Sequence, residues 1–295
     1  MAGDVMKTIR LLLVRSFSDW NDDNAPRLGA SLAFYTILSI SPLVLFSIAI
    51  VSLIFNRLSA QNLLLAQVHS LIGESGKDAV QGLLVSGQRH GTGLLSSVLG
   101  FLTLIFGASG VFTELRSALN SIWKVKPVGG SGLWVLVRER LFSFGMVLSV
   151  GFVLLVSLLA SATLATVTKF FSGLLPVGGG FWQLINFLLS FAGITLLFGL
   201  IFRYVPETEI AWKDVRVGAL VTALLFNLGK FALAVYLGKT TPGSAYGAAG
   251  SLVVMVIWVY YSAQIFFFGA ELTHVYAVTH GDVKGAEDQE SRKAA

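Results

Sequence analysis

Six apolar runs recur along the chain, at about 31 to 55, 93 to 112, 141 to 168, 181 to 202, 216 to 238 and 249 to 278. A helix crossing a hydrocarbon core of about 30 Å needs about 20 such residues at a rise of about 1.5 Å each. All six runs meet that length, and the third and sixth exceed it, so they are expected to tilt or to project beyond the bilayer. The connections are polar, and three of them show helical periodicity. Before the first run, Met6, Ile9, Leu13, Phe17 and Trp20 recur every three to four residues, with Lys7, Arg10 and Arg15 off that line. This predicts an amphipathic helix that either lies along the inner leaflet or packs under the bundle. After the second run, Leu115, Leu119, Ile122 and Trp123 make another apolar face, ended by Lys124, Lys126 and Pro127. The longest connection, Asn56 to Thr92, holds Leu63, Leu64, Val68 and Leu71, which predict a short helix before a break at "GESGKD". Glycine-rich stretches at Val128 to Gly132 and Val177 to Gly180 read as loops. In Thr241 to Ser251, Gly243, Gly247 and Gly250 either form a tight turn or let the last helix approach a neighbour closely.

The pattern defines an all-α membrane protein: six transmembrane helices with both termini inside, plus short amphipathic interfacial helices. The expected organisation is a cytoplasmic amphipathic segment at 1–29, a six-helix membrane domain at 30–279 and a disordered cytoplasmic tail at 280–295. Composition agrees, since 55% of residues are hydrophobic and 13% charged, against about 25% charged in soluble domains. The first thirty residues carry charge throughout and the following run is too long for a signal-peptide core, so no cleavable leader is expected. Basic residues set the orientation. Lys7, Arg10, Arg15 and Arg27, then Arg116, Lys124, Lys126, Arg138 and Arg140, then Arg203, Lys213 and Arg216, and finally Lys284, Arg292 and Lys293 fall on one side. The other side holds Arg57, Lys77, Arg89, Lys169 and Lys239. That bias places both termini in the cytoplasm.

The net charge of +5 comes from residues flanking apolar runs rather than from one basic face, so no specific nucleic-acid partner is expected. The chain has no cysteine, which removes thiolate chemistry and Cys-based metal sites. Its histidines, His69, His90, His274 and His280, form no metal-ligand motif. "GESGK" (Gly73 to Lys77) is too short for a phosphate-binding loop and reads as a turn. No cofactor, metal or catalytic constellation is therefore expected, and the protein reads as a non-enzyme.

Polar side chains inside the apolar runs carry the functional candidates. Lys230 lies about 21 Å above the inner edge of the fifth run, in its outer half. Ala223, Asn227 and Ala234 share its face, and no acidic residue within a span matches its depth. Three arrangements satisfy it: snorkelling to interfacial water, neutral or local hydrogen bonding with Gln183 and Asn186 at similar depth, or an outward-open cavity where it meets a substrate anion. In the first run Ser31, Tyr35 and Ser39 share a face and precede Pro42, which frees the Leu38 carbonyl. This either lines a pathway at a kink or packs helices through small hydroxyls. In the sixth run Tyr261, Gln264, Glu271 and His274 share a broad face. Glu271 near the cytoplasmic boundary, with Glu114, Arg116 and His274, is either a gate held by ion pairs or an ordinary interfacial charge belt.

Three stretches carry a likeness to a known family: "ASLAFYTILSISPL" (Ala30 to Leu43), "GVFTELRSALNSIWKVKP" (Gly110 to Pro127), and "FRYVPE" (Phe202 to Glu207) through "YGAAGSLVVMVIWVYYSAQIFFFGAELTHVYA" (Tyr246 to Ala277). The chain resembles the YihY/BrkB family of bacterial inner-membrane proteins over about residues 25 to 280. The resemblance implies a six-helix bundle with cytoplasmic termini. Members have carried the labels of tRNA-processing ribonuclease and of virulence-associated factor, and some have been linked to lipid export. Ribonuclease chemistry needs clustered metal ligands or an acid and base beside a basic RNA groove, and the residues above supply neither. The expected function is movement of an anionic or amphiphilic substrate, a lipid among them, through a cavity holding Lys230, Asn227, Tyr35, Ser39, Pro42 and Gln264. The alternative is a non-transporting membrane scaffold. Membrane lipids are the expected partners, and the oligomeric state is left open.

Overall fold

The computed structural model describes residues 2–52, 56–88, 110–125, 179–239 and 250–280, and every regular element among them is a helix. In chain order these are α1 (Ala2–Asp22), α2 (Ala25–Val51), α3 (Arg57–Ile72), α4 (Glu74–Gln88), α5 (110–122), α6 (Gly179–Tyr204), α7 (Trp212–Lys239) and α8 (Gly250–His280). Two are long and apolar enough to cross a membrane, Trp212–Leu233 within α7 and the whole of α8; Ser190–Tyr204 is a shorter apolar helix. Only 33% of either long apolar window is buried. A soluble core helix that apolar would be covered on all sides, whereas Leu220, Leu224, Leu228 and Phe231 point outward.

The runs expected at 31 to 55, 181 to 202, 216 to 238 and 249 to 278 correspond to α2, α6, α7 and α8. Those at 93 to 112 and 141 to 168 lie outside the described residues except for 110–112, which open α5. Val128 to Gly132, Thr241 to Ala249 and the tail from 281 also lie outside them. The boundary expected at residue 29 falls inside α2. Of the "VGGG" stretch expected as a loop, Gly179 and Gly180 already belong to α6, and Val177 and Gly178 lie outside the described residues. "GESGKD" is not a turn: Gly73 alone breaks the chain with a φ of 84°, and α4 starts at Glu74. Lys77 pairs with Glu74 at 2.5 Å across the first turn of α4, which stabilises helix where glycine spacing suggested a loop.

α1 settles between its two expected positions in an informative way. It packs on α8 through a side containing buried Ser16 and half-buried Leu12, Asp19 and Trp20. Met6, Leu13, Val14 and Phe17 stand exposed about a quarter turn away. The basic residues Lys7, Arg10 and Arg15 are exposed as well, so only the strip from Leu12 through Ser16 and Asp19 to Trp20 docks on protein. The α1–α2 turn is made by Asn24 at φ 54°, a left-handed conformation that asparagine tolerates.

The bundle has two packed ends. At one, α2, α5, α6, α7 and α8 bury Leu119, Ile122, Phe202, Ile210, Val215 and Phe267; the apolar face expected on α5 is the side turned inward. At the other, α3 and α4 cover α2 and α8 through Val51, Ala60, Val80, Leu84 and Met255. α7 and α8 run antiparallel through reciprocal glycine–threonine contacts. A Cβ on Gly218 would stand 1.7 Å from Thr273 Oγ1, and one on Gly269 would stand 1.9 Å from Thr222 Oγ1. Each threonine donates its hydroxyl to the carbonyl of the glycine four residues earlier, Thr222 to Gly218 at 2.6 Å and Thr273 to Gly269 at 2.7 Å. The hydroxyls are thereby satisfied and the backbones meet closely. The 31 residues of α8 extend about 46 Å, so about ten exceed the hydrocarbon core. Charge exclusion puts that excess at the end bearing Glu271 and His274.

Candidate functional site

Lys230 is half-buried on α7. It lines a crevice with Phe226, Leu233, Trp258, Tyr261 and Ser262 that is too narrow to admit a water-sized sphere. Among the described residues no carboxylate comes within ion-pairing distance of its ammonium. The lysine therefore faces α8 rather than lipid, as its small and polar stripe predicts, but in a closed crevice. Asn227, one turn before it, donates Nδ2 to the Ala223 carbonyl at 2.8 Å and is satisfied within its own helix.

On the other side of the Tyr261–Ile265 ridge lies a larger feature, an open apolar groove of about 380 Å³. α7 contributes Leu225, Leu228, Gly229 and Ala232, α8 contributes Tyr261, Gln264, Ile265 and Phe268, and α1 closes it with Phe17 and Trp20. The ridge seats on Gly229, where a Cβ would stand 2.5 Å from Ile265 Cδ1 and 2.9 Å from Tyr261 Cε1. Gln264 is the polar residue on this wall; neither its Oε1 nor its Nε2 has a hydrogen-bond partner. Its amide presses on Gly29 of α2, where a Cβ would lie 2.0 Å from Nε2. Trp20 Nε1 is likewise buried without an acceptor.

The α2 candidates lie elsewhere. Tyr35 is exposed and covers Gly110 at the α2–α5 contact, where a Cβ would be 2.9 Å from Tyr35 Cδ1. Ser39 is buried, and its hydroxyl is shared between the Tyr35 carbonyl at 2.9 Å and the Thr36 carbonyl at 3.1 Å. α2 continues as helix through Pro42. Neither Tyr35 nor Ser39 lines the groove or the Lys230 crevice.

The candidate gate divides in two. Arg116 forms its ion pair with Glu207, in the α6–α7 connection, rather than with Glu271. Asn120 holds Glu207 twice, accepting from its backbone amide at 2.9 Å and donating to its carboxylate Oε2 at 3.2 Å. Glu114, half-buried on α5, is not drawn into this network. Glu271 is fully buried with neither oxygen hydrogen-bonded, and Asp23 and Lys124 are its principal charged neighbours. His274 meets Trp123 edge-on at 5.1 Å. Lys124 pairs with Asp23 and reaches it from a strained position, φ 53°. The Val125 amide bonds to the Asn120 carbonyl at 2.9 Å and the Lys124 amide to the Ser121 carbonyl at 3.1 Å, the helix-ending arrangement in which glycine normally takes the left-handed residue.

The sequence reading placed Trp20 only on the α1 apolar face and Lys124 only at the end of the α5 helix, and it gave Asp23 and Glu207 no partner, because each lies in or beside a connection. Depth along a helix says nothing about what a turn folds back onto. The glycine–threonine crossing did leave a signal, the paired pentapeptides "GALVT" (Gly218 to Thr222) and "GAELT" (Gly269 to Thr273).

Relatives are membrane proteins. The chain is 31% identical over 251 residues to a UPF0761 membrane protein of Verminephrobacter eiseniae, covering 83% of this chain and 57% of that one. It is 27% identical to a UPF0761 membrane protein of Delftia acidovorans, covering 92% of this chain and 63% of the relative. A third, from Cronobacter sakazakii, is 27% identical over 96% of this chain and 91% of its own length. The chain thus spans less than two thirds of the first two and nearly all of the third. No solved structure matches it significantly. The family model described as Virulence factor BrkB matches residues 16–294, and the chain belongs to that family.

Proposed function

We propose that this protein moves, or helps to move, an anionic or amphiphilic substrate, a lipid foremost, across a bacterial inner membrane. In this reading six helices span the bilayer, both termini are cytoplasmic, and the chain performs no catalysis. The observation that carries it is the apolar groove between α1, α7 and α8. Its volume of about 380 Å³ falls in the range of about 300–1,000 Å³ usual for small-molecule sites. It opens outward beside the exposed apolar side of α1, so an acyl chain could enter from the leaflet without crossing water. Gln264 supplies a polar handle among apolar walls. Lys230 stands behind the Tyr261–Ile265 ridge as a cation suited to a phosphate or carboxylate head group.

The closed crevice around Lys230 favours the second reading, a membrane scaffold that transports nothing. Reconstitution into proteoliposomes with a panel of anionic lipids separates the two. Transport predicts flux that falls in Lys230→Met and in Gln264→Leu while folding is retained. Wild-type flux no greater than that of protein-free vesicles would leave the scaffold.

A further inference from the structure

Glu271 is the only acidic residue of α8, and its side chain is completely buried with no donor on either oxygen among the described residues. An ionised carboxylate in that condition is among the least favourable groups a protein can bury. The charges facing it come from two other elements: Asp19 of α1 with Asp23 of the α1–α2 turn, and Lys124 from the end of α5. On α8 itself, His274 lies one turn away with its ring against Trp123. Lys124 is already taken by Asp23 Oδ1, and Asp23 Oδ2 is buried with no partner. The Glu271, Asp23 and Lys124 cluster therefore has one surplus negative charge, two facing carboxyl groups and no donor between them.

We propose that Glu271 and Asp23 hold one proton between them, so that the cluster is a proton-binding site that latches the α1–α2 turn onto α8. A single hydrogen, carried by one Glu271 oxygen and donated to Asp23 Oδ2, joins two of the three unpartnered oxygens and cancels the surplus charge. Two carboxylates sharing one site cannot both ionise freely. Asp23 retains 12% side-chain exposure and Glu271 none, so the proton exchanges with solvent through Asp23. When it leaves, the facing carboxylates repel and the turn, with α1, is released. Docking is thus complete at lower pH and lost as pH rises. This site is independent of whether the groove carries a substrate.

The test uses the full chain in lipid nanodiscs. Infrared spectroscopy of the wild type should show the carbonyl stretch of a protonated carboxyl group that is missing in Glu271→Gln. Limited trypsinolysis at Lys7, Arg10 and Arg15 reports release of α1. In the wild type the released fraction should climb with a one-proton slope, approaching about tenfold per pH unit above the transition. In Glu271→Gln, whose amide N–H replaces the shared hydrogen, cleavage should lose that slope. Should Glu271→Gln not fold, Asp23→Asn leaves the Glu271 carboxyl without its carboxylate acceptor and should shift the frequency of that band and displace the pH at which cleavage begins. A band unchanged in the folded variant, an unchanged slope, or release governed by sodium concentration instead of pH would overturn the proposal.

Discussion

Replacing Gly218 by alanine places a methyl group 1.7 Å from Thr273 Oγ1, 2.7 Å from its Cβ and 3.1 Å from its Cα. The last of these is backbone, so rotating Thr273 does not clear the site and the helices must separate. Inserting a methyl into a packed interface costs about 1–3 kcal/mol, while alanine gains up to about 1 kcal/mol over glycine in helix propensity. The expected net loss is about 1–2 kcal/mol. Gly269→Ala meets only side-chain atoms of Thr222, with Oγ1 at 1.9 Å and Cβ and Cγ2 both at 2.8 Å. Its loss should therefore be smaller, and Thr222→Ala should relieve part of it, giving a measurable coupling in a double-mutant cycle. Thr273→Ala should not rescue Gly218→Ala. Among the described residues nothing lies within 4 Å of a Cβ added to Gly82 or Gly193, so alanine there should be neutral or stabilising. Unfolding in mixed micelles, followed by near-ultraviolet circular dichroism, gives the order. If Gly218→Ala unfolds no earlier than Gly193→Ala, the close crossing of α7 and α8 is wrong.

Other consequences are local. Ser39→Ala should change stability by less than about 1 kcal/mol and leave any flux intact, since the hydroxyl serves carbonyls of its own helix; a large flux defect would restore Ser39 to a pathway. Asn120→Ala removes both bonds to Glu207 and should destabilise by about 1–2 kcal/mol, read by thermal unfolding in detergent. Glu74 is held below its ordinary carboxyl value of 4.5 by the hydrogen bond from Lys77, and Lys77 is raised above 10.5 by the same bond. The support that Glu74 gives α4 should be present above pH 4.5 and vanish as pH falls through its lowered value, while that from Lys77 should persist until pH rises past its own raised value. Amide exchange in the first turn of α4 measures both limbs, and identical exchange in Glu74→Gln across the acid limb would refute the first.

The apolar pattern was a good guide to where helices form. α2, α6, α7 and α8 follow from apolar length, and the inward face of α5 from the spacing of Leu119, Ile122 and Trp123. It misled at α1, where an apolar stripe was assumed to mark either the lipid surface or the protein contact. The predicted face divides, because Trp20 docks with Ser16 and Asp19 on α8 while Met6, Leu13 and Phe17 stay exposed. Pairing of charges was harder still. Arg116 and Glu271 share a level in sequence but not a neighbour in space, since Glu207 arrives from the α6–α7 connection. Pairing by depth also represents Glu271 as a cation-seeking group at the boundary, whereas its principal neighbour is another carboxylate.

The α7–α8 pair is unequal along its length, and that bears on how any substrate would pass. Around Gly218 and Gly269 the contacts involve backbone and branch-point atoms, which cannot yield without moving a helix. Around Gly229 they involve Ile265 Cδ1 at 2.5 Å and the ring of Tyr261, the far ends of side chains that can rotate. Moving Tyr261 and Ile265 would join the groove to the Lys230 crevice while the Gly218–Thr273 contact stayed closed. The chain has no cysteine, so paired spin labels can be introduced without removing native thiols. A pair at the exposed positions Val235 and Leu252 should broaden in distance distribution when anionic lipid is added. A pair at Arg216 and Tyr276, on the Gly218 side, should stay narrow. Equal broadening of both would mean that the helices move as rigid bodies and that the glycine–threonine crossing is no pivot.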